Sequence, residues 1–385
     1  MTNAPDFVVI GDPSSRRVAL FQGALERMGL PQAQVMSTIE AIDGRCNALE
    51  LGPNTVVRLE SPGSHFATER QLIALGFAED DELDTDRIEP ACALALELDR
   101  GRIYYPRQWF LGYRALLRRL KEQLGDVTWM NHPEDIAVMF DKRQTHTRCI
   151  DAGVTVPPAL GPVSNYDELR ACMAEAGCHQ VFVKMINGSS ASGVVAYRTS
   201  GGREIAITSA ALSYDARGEV QLHNSLRIRR YTERNDVATV INTLCRVGGV
   251  HVEAWLPKAS QDGRPFDLRV VTIQNQACHV VVRTGTSPMT NLHLGNARGD
   301  RDALEAHLGH EAWQRLMATC VQAKGLFPHS LYAGVDLLVT RGAPRGHILE
   351  INAFGDLLPR VIWHGMDTYE AEIRAVIAHD PQERP

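Results

Sequence analysis

The apolar segments of this chain change their arrangement near residue 129. Before that point short apolar runs alternate with helical patterns, as in FVVIG (7–11) followed by SRRVALFQGALERMG (15–29). TVVRLE (55–60) and the helical HFATERQLIALG (65–76) repeat the alternation. Strands that alternate with helices favour a parallel sheet covered by helices. Residues 1–128 are therefore predicted to form a small parallel α/β domain.

Beyond the junction most apolar runs have strand character. They are QVFVKMI (180–186), SGVVAYRT (192–199), REIAITS (203–209), EVQLH (219–223), HVEAWL (251–256), DLRVVTIQ (267–274), QACHVVVRT (276–284), YAGVDLLVT (332–340) and GHILEINAF (346–354). Helical patterns cover 234–248 and about 301–325, so this part is predicted to be α+β with mostly antiparallel strands. A chain of 385 residues is long enough for two or three packed units. We place two further domains at 129–250 and 251–385.

Composition and charge exclude several classes of protein. Lys+Arg 40 against Asp+Glu 46 gives a net charge of -6, which disfavours a broad nucleic-acid-binding surface. The eight cysteines form no CxxC pair, so neither a zinc ribbon nor a disulfide framework is indicated. The N-terminal segment lacks a secretory signal pattern, and no apolar run is long enough to span a bilayer. These observations predict a cytoplasmic protein with no nucleic-acid or membrane partner.

Lysine is scarce, and one lysine lies in a suggestive position. Only five of the 40 basic residues are lysines, at positions 121, 142, 184, 258 and 324. Lys184 lies in the predicted strand 180–186, which precedes NGSSASG (187–193), a loop of small residues that differs from a Walker A loop. Such a strand–loop–strand hairpin can fold over a polyphosphate, with Ser189, Ser190 and Gly193 offering backbone N–H groups and hydroxyls. The alternative is an ordinary hairpin tip.

Two carboxylates and an amide lie on the C-terminal strands. Glu350 and Asn352 are two residues apart in one strand, so their side chains leave the same face. Asp336 can join them if the two strands are neighbours. A set of hard oxygen ligands without His or Cys suits Mg²⁺ that bridges phosphates. The alternative is a structural ion pair with an arginine.

Two further segments are candidates for ligand contacts. HVEAWLPK (251–258) can offer backbone donors and acceptors to a flat heterocycle while Trp255 or Leu256 packs nearby. The alternative is an ordinary edge strand. The polar loop RTGTSPMTNLHLGN (283–296) carries Arg283, which could stabilise developing negative charge, and Asn291, which could position a carboxylate or phosphate.

The order of these segments resembles the ATP-grasp superfamily, near the glutathione-synthetase-like and ribosomal-protein-modification-like ligases. The resemblance covers about 130–360 and runs through DK, AGVTVPP, VFVKMINGSSASGV, VEAWLP, DLRV, R…TNLHLG, GVDLL and LEINAFGD. It implies an N-terminal pre-ATP-grasp domain followed by a two-subdomain ATP-grasp fold, with ATP between the two subdomains.

The resemblance also implies roles for individual residues. Lys142 and Lys184 would bind the phosphates of the nucleotide. The backbone of Glu253, Ala254 and Leu256 would contact its adenine. Asp336, Glu350 and Asn352 would hold magnesium, and Arg283 with Asn291 would face the reacting phosphate. The ribose ligand is left open between Asp262 and Asp267, and Arg269 would face nucleotide or substrate. Lys258 belongs to the insert 258–266 and is expected on the surface.

The function implied is an ATP- and Mg²⁺-dependent ligase. It would activate a substrate carboxylate as an acyl phosphate and join it to an amine or thiol, releasing ADP. Its partners would be ATP and small carboxylate and amine substrates or a peptide, and a homodimer is allowed. The alternatives are an ATP-grasp kinase that phosphorylates a small molecule, and a nucleotide-binding module without turnover.

Overall fold

The computed structural model of the chain describes residues 5–63, 65–188, 191–342, 344–354 and 358–378. Its strands form three sheets. The elements of the N-terminal part are β1 (Asp6–Ile10), α1 (Arg16–Arg27), β2 (Gln34–Met36), α2 (Thr38–Ile42), β3 (Thr55–Leu59), α3 (Phe66–Gly76), α4 (Pro90–Leu94), α5 (Pro106–Leu124) and β4 (Thr128–Trp129), with a 3₁₀ turn at Arg45–Ala48.

The first sheet is parallel, with the order β2-β1-β3-β4, as the alternation of strands and helices predicted. Its central strands are apolar on both faces because separate groups of helices cover the two sides. Helices α3 and α5 pack closely at two glycines. A Cβ on Gly76 would lie 1.9 Å from the carbonyl oxygen of Gln108, and one on Gly112 would lie 1.9 Å from that of Leu72. Only glycine permits this approach.

The second sheet is antiparallel, with the order β5-β10-β6-β7-β8-β9. Two linking helices, α6 (Pro133–Met139) and α7 (Lys142–Asp151), precede it. Its elements are β5 (Ala159–Leu160), α8 (Tyr166–Glu175), β6 (Gln180–Met185), β7 (Val195–Ser200), β8 (Arg203–Tyr214), β9 (Val220–Tyr231), α9 (Arg234–Gly248) and β10 (Val250–Ala254). The domain boundary that we placed at 250/251 falls inside β10. That strand stays with the second sheet because Val250 pairs with Met185 and Ala254 with Val181.

The third sheet is also antiparallel and has the order β14-β13-β12-β15-β16, with β11 beside β12. Its elements are β11 (Ser260–Gln261), β12 (Arg264–Ile273), β13 (Gln276–Thr284), β14 (Ala297–Arg298), α10 (Arg301–Leu308), α11 (His310–Gly325), β15 (Tyr332–Val339), β16 (Gly346–Asn352) and α12 (Thr368–Ala378), with a 3₁₀ turn at Leu292–Leu294. The single helix predicted over 301–325 was wrong. It breaks at Gly309, whose φ of 81° is rare for any residue with a side chain.

The first and third sheets share their hydrophobic cores, whereas the second sheet has a core of its own. Val57 of β3 and Val335 of β15 belong to one buried cluster, and Val9 of β1 and Ile273 of β12 belong to another. The cluster beneath the second sheet consists of buried residues between positions 160 and 252, and partly buried apolar side chains pack against it. No helix within the described ranges is long and apolar enough to cross a membrane.

Candidate functional site

A cleft of about 770 Å³ lies between the second and third sheets. Ten of the residues selected from the sequence line it: Lys142, Lys184, Glu253, Ala254, Leu256, Asp267, Arg283, Asn291, Asp336 and Glu350. Two more, Arg269 and Asn352, line a second cavity that adjoins it. These residues come from seven segments of the chain, and the fold brings them together.

Lys184 and Glu253 form a buried ion pair on the second sheet. Side chains of β6 alternate between the sheet's core and the cleft, and Phe182 and Lys184 lie on the cleft side. The Nζ of Lys184 lies 2.6 Å from Oε2 of Glu253. Burial works against the charged form of Glu253, but Lys184 and the neighbouring His251 outweigh it and lower its pKa to about 2. The ionised Glu253 therefore holds Nζ of Lys184 at the wall of the cleft.

The cleft has an apolar end near the segment after β10. Phe182, Met185, Leu338 and Leu349 contribute apolar side chains there. The backbone N–H of Leu256 donates to no other described residue, so it remains as a donor for a ligand. An apolar slot with a backbone donor beside it suits a flat heterocycle.

Lys142 lies at the opposite side of the cleft, at the start of α7. Asp141 caps this helix by accepting hydrogen bonds from the N–H groups of Arg143 and Gln144, which explains why the DK pair lies at a helix start. The Nζ of Lys142 lies 2.9 Å from Oε1 of Glu350 and donates to the carbonyl of Gly188 at 2.5 Å. Lys142 therefore connects α7, the third sheet and the start of the small-residue loop.

Several predicted nucleotide contacts lie outside the cleft or outside the described residues. Trp255 packs against Phe182, with ring centroids 5.4 Å apart, and does not line the cleft. Gly193 does not line it either, but its φ of 64° and its contact with Leu244, which a Cβ would approach to 2.8 Å, shape the loop. Ser189 and Ser190 lie outside the described residues.

Asp336 and Glu350 are direct neighbours across the pair β15–β16, as the sequence predicted for adjacent strands. Asp336 lies 2.6 Å from Nε of Arg269 and 3.0 Å from Nη2 of Arg283. Burial and the nearby carboxylate of Glu350 raise the pKa of Asp336, against the pull of the two arginines. Burial also opposes the charge on Glu350, but Lys142 reverses that effect and lowers the pKa of Glu350.

The set formed by Asp336, Glu350 and Asn352 fits a hard divalent cation. Asn352 donates its side-chain N–H to the carbonyl of Gly334 at 3.1 Å, which leaves its amide oxygen as an acceptor. Two carboxylates that repel each other in a low-dielectric site, with an amide oxygen on the same strand face, are the ligand chemistry of Mg²⁺. No cluster of three or more His, Cys, Asp or Glu residues suited to a metal occurs in the described ranges. A metal site at Asp336 and Glu350 would therefore need the amide oxygen of Asn352 as its third protein ligand.

Asp267 is the centre of a buried polar network. Its Oδ1 lies 2.6 Å from Nε of Arg283, and its Oδ2 lies 2.8 Å from Nζ of Lys258 and accepts from the hydroxyl of Thr290. Burial would oppose this charge, but Arg283 and Lys258 keep the pKa of Asp267 well below its usual range. Both oxygens are thus bound within the protein, while Asp262 lies in an exposed turn away from the cleft. A ribose contact by either residue stays a prediction.

The expectation that Lys258 lies on the surface was wrong. Its side chain is 7% exposed and lines the cleft beside Asp267. The segment carrying it turns inward because Ala259 pairs through its backbone with Val339 and with Phe266. The scarcity of lysine, which drew attention to Lys142 and Lys184, would have selected Lys258 as well. Lys258 was missed because segment 258–266 was interpreted by itself, as an insert on the surface.

No family model and no curated protein matches this sequence. The structure is similar to solved structures over nearly its whole length. One is the ATP-grasp ligase PsnB complexed with a minimal precursor, Mg and ADP, at 18% identity, with 98% of each chain covered and a TM-score of 0.51. The D-cycloserine synthetase DcsG has 14% identity, a TM-score of 0.56, and coverage of 96% of this chain and 98% of that chain.

A third is the macrocyclase MdnC bound with precursor peptide MdnA from Microcystis aeruginosa MRC. It has 12% identity, a TM-score of 0.51, and coverage of 97% of this chain and 99% of that chain. Together these likenesses show that the chain has the ATP-grasp fold. The fold expected from the motif order is therefore confirmed.

Proposed function

We propose that this chain is an ATP- and Mg²⁺-dependent ligase that activates a carboxylate as an acyl phosphate and joins it to an amine. One observation carries the proposal. Lysines from one side and carboxylates from the other meet in a single cleft, and a second cavity opens beside it. Arg283 and Asn291 line both spaces, so they lie where a γ-phosphate and an acyl donor would meet.

Two groups of residues are proposed to bind the nucleotide. The backbone of Glu253, Ala254 and Leu256 would face the adenine, which would occupy the apolar end of the cleft. Lys142 and Lys184 would contact the phosphates as compact charges. The ion pairs that now hold these lysines, with Glu350 and Glu253, keep both cations oriented into the cleft.

The donor set of Asp336, Glu350 and Asn352 is proposed to hold the metal. When bound, Mg²⁺ would supply positive charge that neutralises the phosphates of the nucleotide. Arg269 and Arg283 contact Asp336 and orient its carboxylate. Positioning and charge neutralisation are the main contributions of the protein, because both reactants of the first step are anions.

The proposed reaction has two steps, formation of an acyl phosphate and then formation of an amide. A carboxylate oxygen of the donor attacks the γ-phosphorus, and the bond to the β–γ bridging oxygen breaks, with its electron pair leaving on ADP. An amine nitrogen then attacks the acyl carbon of the acyl phosphate. The carbon–oxygen bond to phosphate breaks, phosphate leaves with that electron pair, and the amine loses one proton to solvent. Arg283, beside the junction of the cavities, would stabilise the negative charge that develops in both steps.

Product analysis tests this proposal against its alternatives. The protein is incubated with ATP, Mg²⁺ and a panel of carboxylates, with hydroxylamine as the amine, and ADP, phosphate and hydroxamate are measured. A ligase releases ADP and phosphate in equal amounts and forms a hydroxamate only when a carboxylate is present. ADP without free phosphate would indicate a kinase, and no ADP at all would indicate a binding module.

Two variants link the product assay to the site. Glu350→Gln and Asp336→Asn remove one charge each from the proposed metal set, so both should abolish ADP release while the circular dichroism spectrum is unchanged. Glu134→Gln, an exposed residue of α6, is the control and should keep wild-type turnover. Normal turnover in both site variants with the same magnesium dependence would exclude the metal assignment.

A further inference from the structure

The second cavity, of about 1610 Å³, is distinct from the nucleotide cleft but continuous with it. The two spaces share Lys142, Gly188, Arg283, Asn291 and Glu350. Further walls come from the start of α1 and Ser61 in the N-terminal domain, from the end of α6, and from the third sheet through β14, the segment after β13 and the segment after β16. A molecule in this cavity would lie next to the proposed γ-phosphate.

The walls of this cavity are strongly cationic. Among the described residues the charged side chains that line it comprise one carboxylate, Glu350, and six cations. The cations are Arg16, Arg17, Lys142, Arg269, Arg283 and Arg298. The chain as a whole has a net charge of -6, so this concentration of positive charge is local to the cavity.

Of these six cations, Arg17 donates to the carbonyl oxygen of Phe354 at 3.1 Å. Of the other five, three are paired with carboxylates within the protein and two are not. Lys142 pairs with Glu350, and Arg269 and Arg283 pair with Asp336. Within the described ranges, Arg16 and Arg298 lie within 4.0 Å of no carboxylate. They therefore keep their charge available on the side of the cavity away from the metal set.

Arg298 is held in place without being neutralised. Its Nη1 donates to the carbonyl oxygen of Pro359 at 2.9 Å, which fixes the guanidinium but leaves its charge. Arg298 is also the direct cross-strand partner of Arg283 in the pair β13–β14. Arg283 is already paired with Asp267 and Asp336, so the charge at this cross-strand position that a bound anion could still neutralise is that of Arg298.

We propose that this cavity binds the acyl donor and that the donor is a polycarboxylate. One carboxylate would lie near Arg283 and Asn291 and be activated, while at least one further carboxylate would pair with Arg16 and Arg298. The planar guanidinium is suited to bidentate contact with a carboxylate. The donor is either a free polycarboxylic acid or a peptide with acidic side chains. The inference rests on the proposed function, since it names the substrate class of the same site.

Binding by calorimetry tests this inference without turnover. Two matched pairs of probes differ only in their number of carboxylates: glutarate with glutaramate, and acetyl-Glu-Glu-Glu-amide with acetyl-Glu-Gln-Gln-amide. Each is titrated into the full chain, with and without a non-hydrolysable ATP analogue and Mg²⁺. In at least one pair the probe with more carboxylates should bind about tenfold more tightly, since two charge pairs contribute together. The pair that responds identifies the source.

A double variant locates the effect. Arg16→Gln with Arg298→Gln should remove the preference while nucleotide binding stays at the wild-type level. Arg229→Gln with Arg230→Gln changes net charge equally at exposed positions of β9 outside the cavity and should keep the preference. Equal binding within both pairs of probes, or a preference that survives the cavity variant, would overturn the inference. Failure of the wild type to bind the nucleotide analogue would instead overturn the proposed function, and the titrations without nucleotide would still decide the cavity.

Discussion

Lys184 cannot be replaced without affecting its partner. Glu253 is buried, lies 2.6 Å from Lys184 and 3.3 Å from Nε2 of His251, and keeps its charge through both neighbours. Removing the lysine leaves a buried carboxylate with less compensation, which destabilises the fold as well as any bound phosphate. A single substitution therefore mixes two effects, and a second substitution is needed to separate them.

We predict that Lys184→Met weakens binding of a non-hydrolysable ATP analogue about 10- to 100-fold, because one charge-assisted contact of about 1.5–3 kcal/mol is lost. The same change should lower the thermal midpoint. Adding Glu253→Gln removes the stranded charge, so the double variant should recover the midpoint but not the affinity. Lys184→Arg should recover little affinity, since a planar fork does not fill the place of a compact ammonium. Calorimetric titration and thermal unfolding measure both quantities.

Lys121→Met is the matched control for this series. Lys121 lies on the surface of α5 and pairs with the exposed Glu134, so its loss should change neither affinity nor midpoint appreciably. If the double variant regains wild-type affinity, Lys184 acts on the fold alone and the phosphate role is wrong. Lys258, which the sequence placed on the surface, cannot serve as a control because it is buried beside Asp267.

At the scale of secondary structure, elements with a strong internal pattern were predictable and irregular ones were not. The alternating burial of β6 and the capped start of α7 follow from their own residues. The register shift between Asp336 and Leu337 does not, because it leaves Leu349 without a cross-strand partner and depends on β15. The same holds for the parts of β8 and β9 beyond the predicted runs 203–209 and 219–223, which are strands because β8 and β9 pair with each other.

Helix α12 brings a carboxylate against the first sheet, which gives a pH prediction. Arg58 of β3 contacts Glu60 at 2.6 Å and Glu372 at 2.5 Å, with every one of these side chains buried. Two carboxylates share one guanidinium. Burial raises the pKa of Glu372 from 4.5 to about 7, and Glu60 adds to the rise while Arg58 opposes it. The folded state therefore binds this proton more tightly than the unfolded state does.

The raised pKa of Glu372 fixes the direction in which stability changes with pH. The stability contributed by the protonated Glu372 is fully present below pH 4.5 and is lost as the pH rises to about 7. At about 1.4 kcal/mol per pKa unit, the loss is about 3 kcal/mol. Glu372→Gln should remove this part of the pH dependence of the unfolding free energy, measured by urea denaturation from pH 5 to pH 8.

Glu370→Gln on the same helix is the control with the opposite sign. Burial opposes the charge on Glu370, but its hydrogen bond from Arg27 lowers the pKa of Glu370. Its replacement should therefore cost stability at neutral pH and leave the Glu372 effect in place. A wild-type pH dependence in the Glu372 variant would show that another group binds the proton.

At the scale of the whole molecule, the sequence predicted the fold because the order of its segments carries information that no single motif does. The proximity of Asp336, Glu350 and Asn352, the proposed metal ligands, could be predicted from the sequence, since β-strand periodicity and the pairing of the two strands suffice. The second cavity could not be predicted. It is lined by α1, which packs beside the first sheet, and by β14 of the third sheet. The sequence of neither segment indicates that the two lie close together.

The acidic stretch at 79–86 also makes a contact that the sequence does not indicate. Its charge pattern alone would assign it to solvent. Asp81 within it is buried, with a side chain 2% exposed, and lies 2.6 Å from Nη2 of Arg107 on α5. Arg107 also donates to Oδ1 of Asn187 at 3.0 Å and contacts Asp141, the cap of α7, at 3.5 Å. One guanidinium thus connects the N-terminal domain, the helix that carries Lys142, and the start of the small-residue loop.

This connection gives a prediction about how the parts of the molecule depend on one another. Arg107→Met breaks a buried ion pair and strands Asp81, so the free energy of unfolding should fall by about 3–5 kcal/mol. It should also weaken nucleotide binding, because Lys142 and the loop at Gly188 lose a common support. Arg118→Met is the matched control, since Arg118 lies on the same helix and pairs with Glu79 of the same acidic stretch but is 55% exposed. An exposed pair contributes about 0–1 kcal/mol, so that variant should bind nucleotide normally. Urea denaturation and calorimetry measure both effects, and equal, small losses in the two variants would show that the three parts are held together without Arg107.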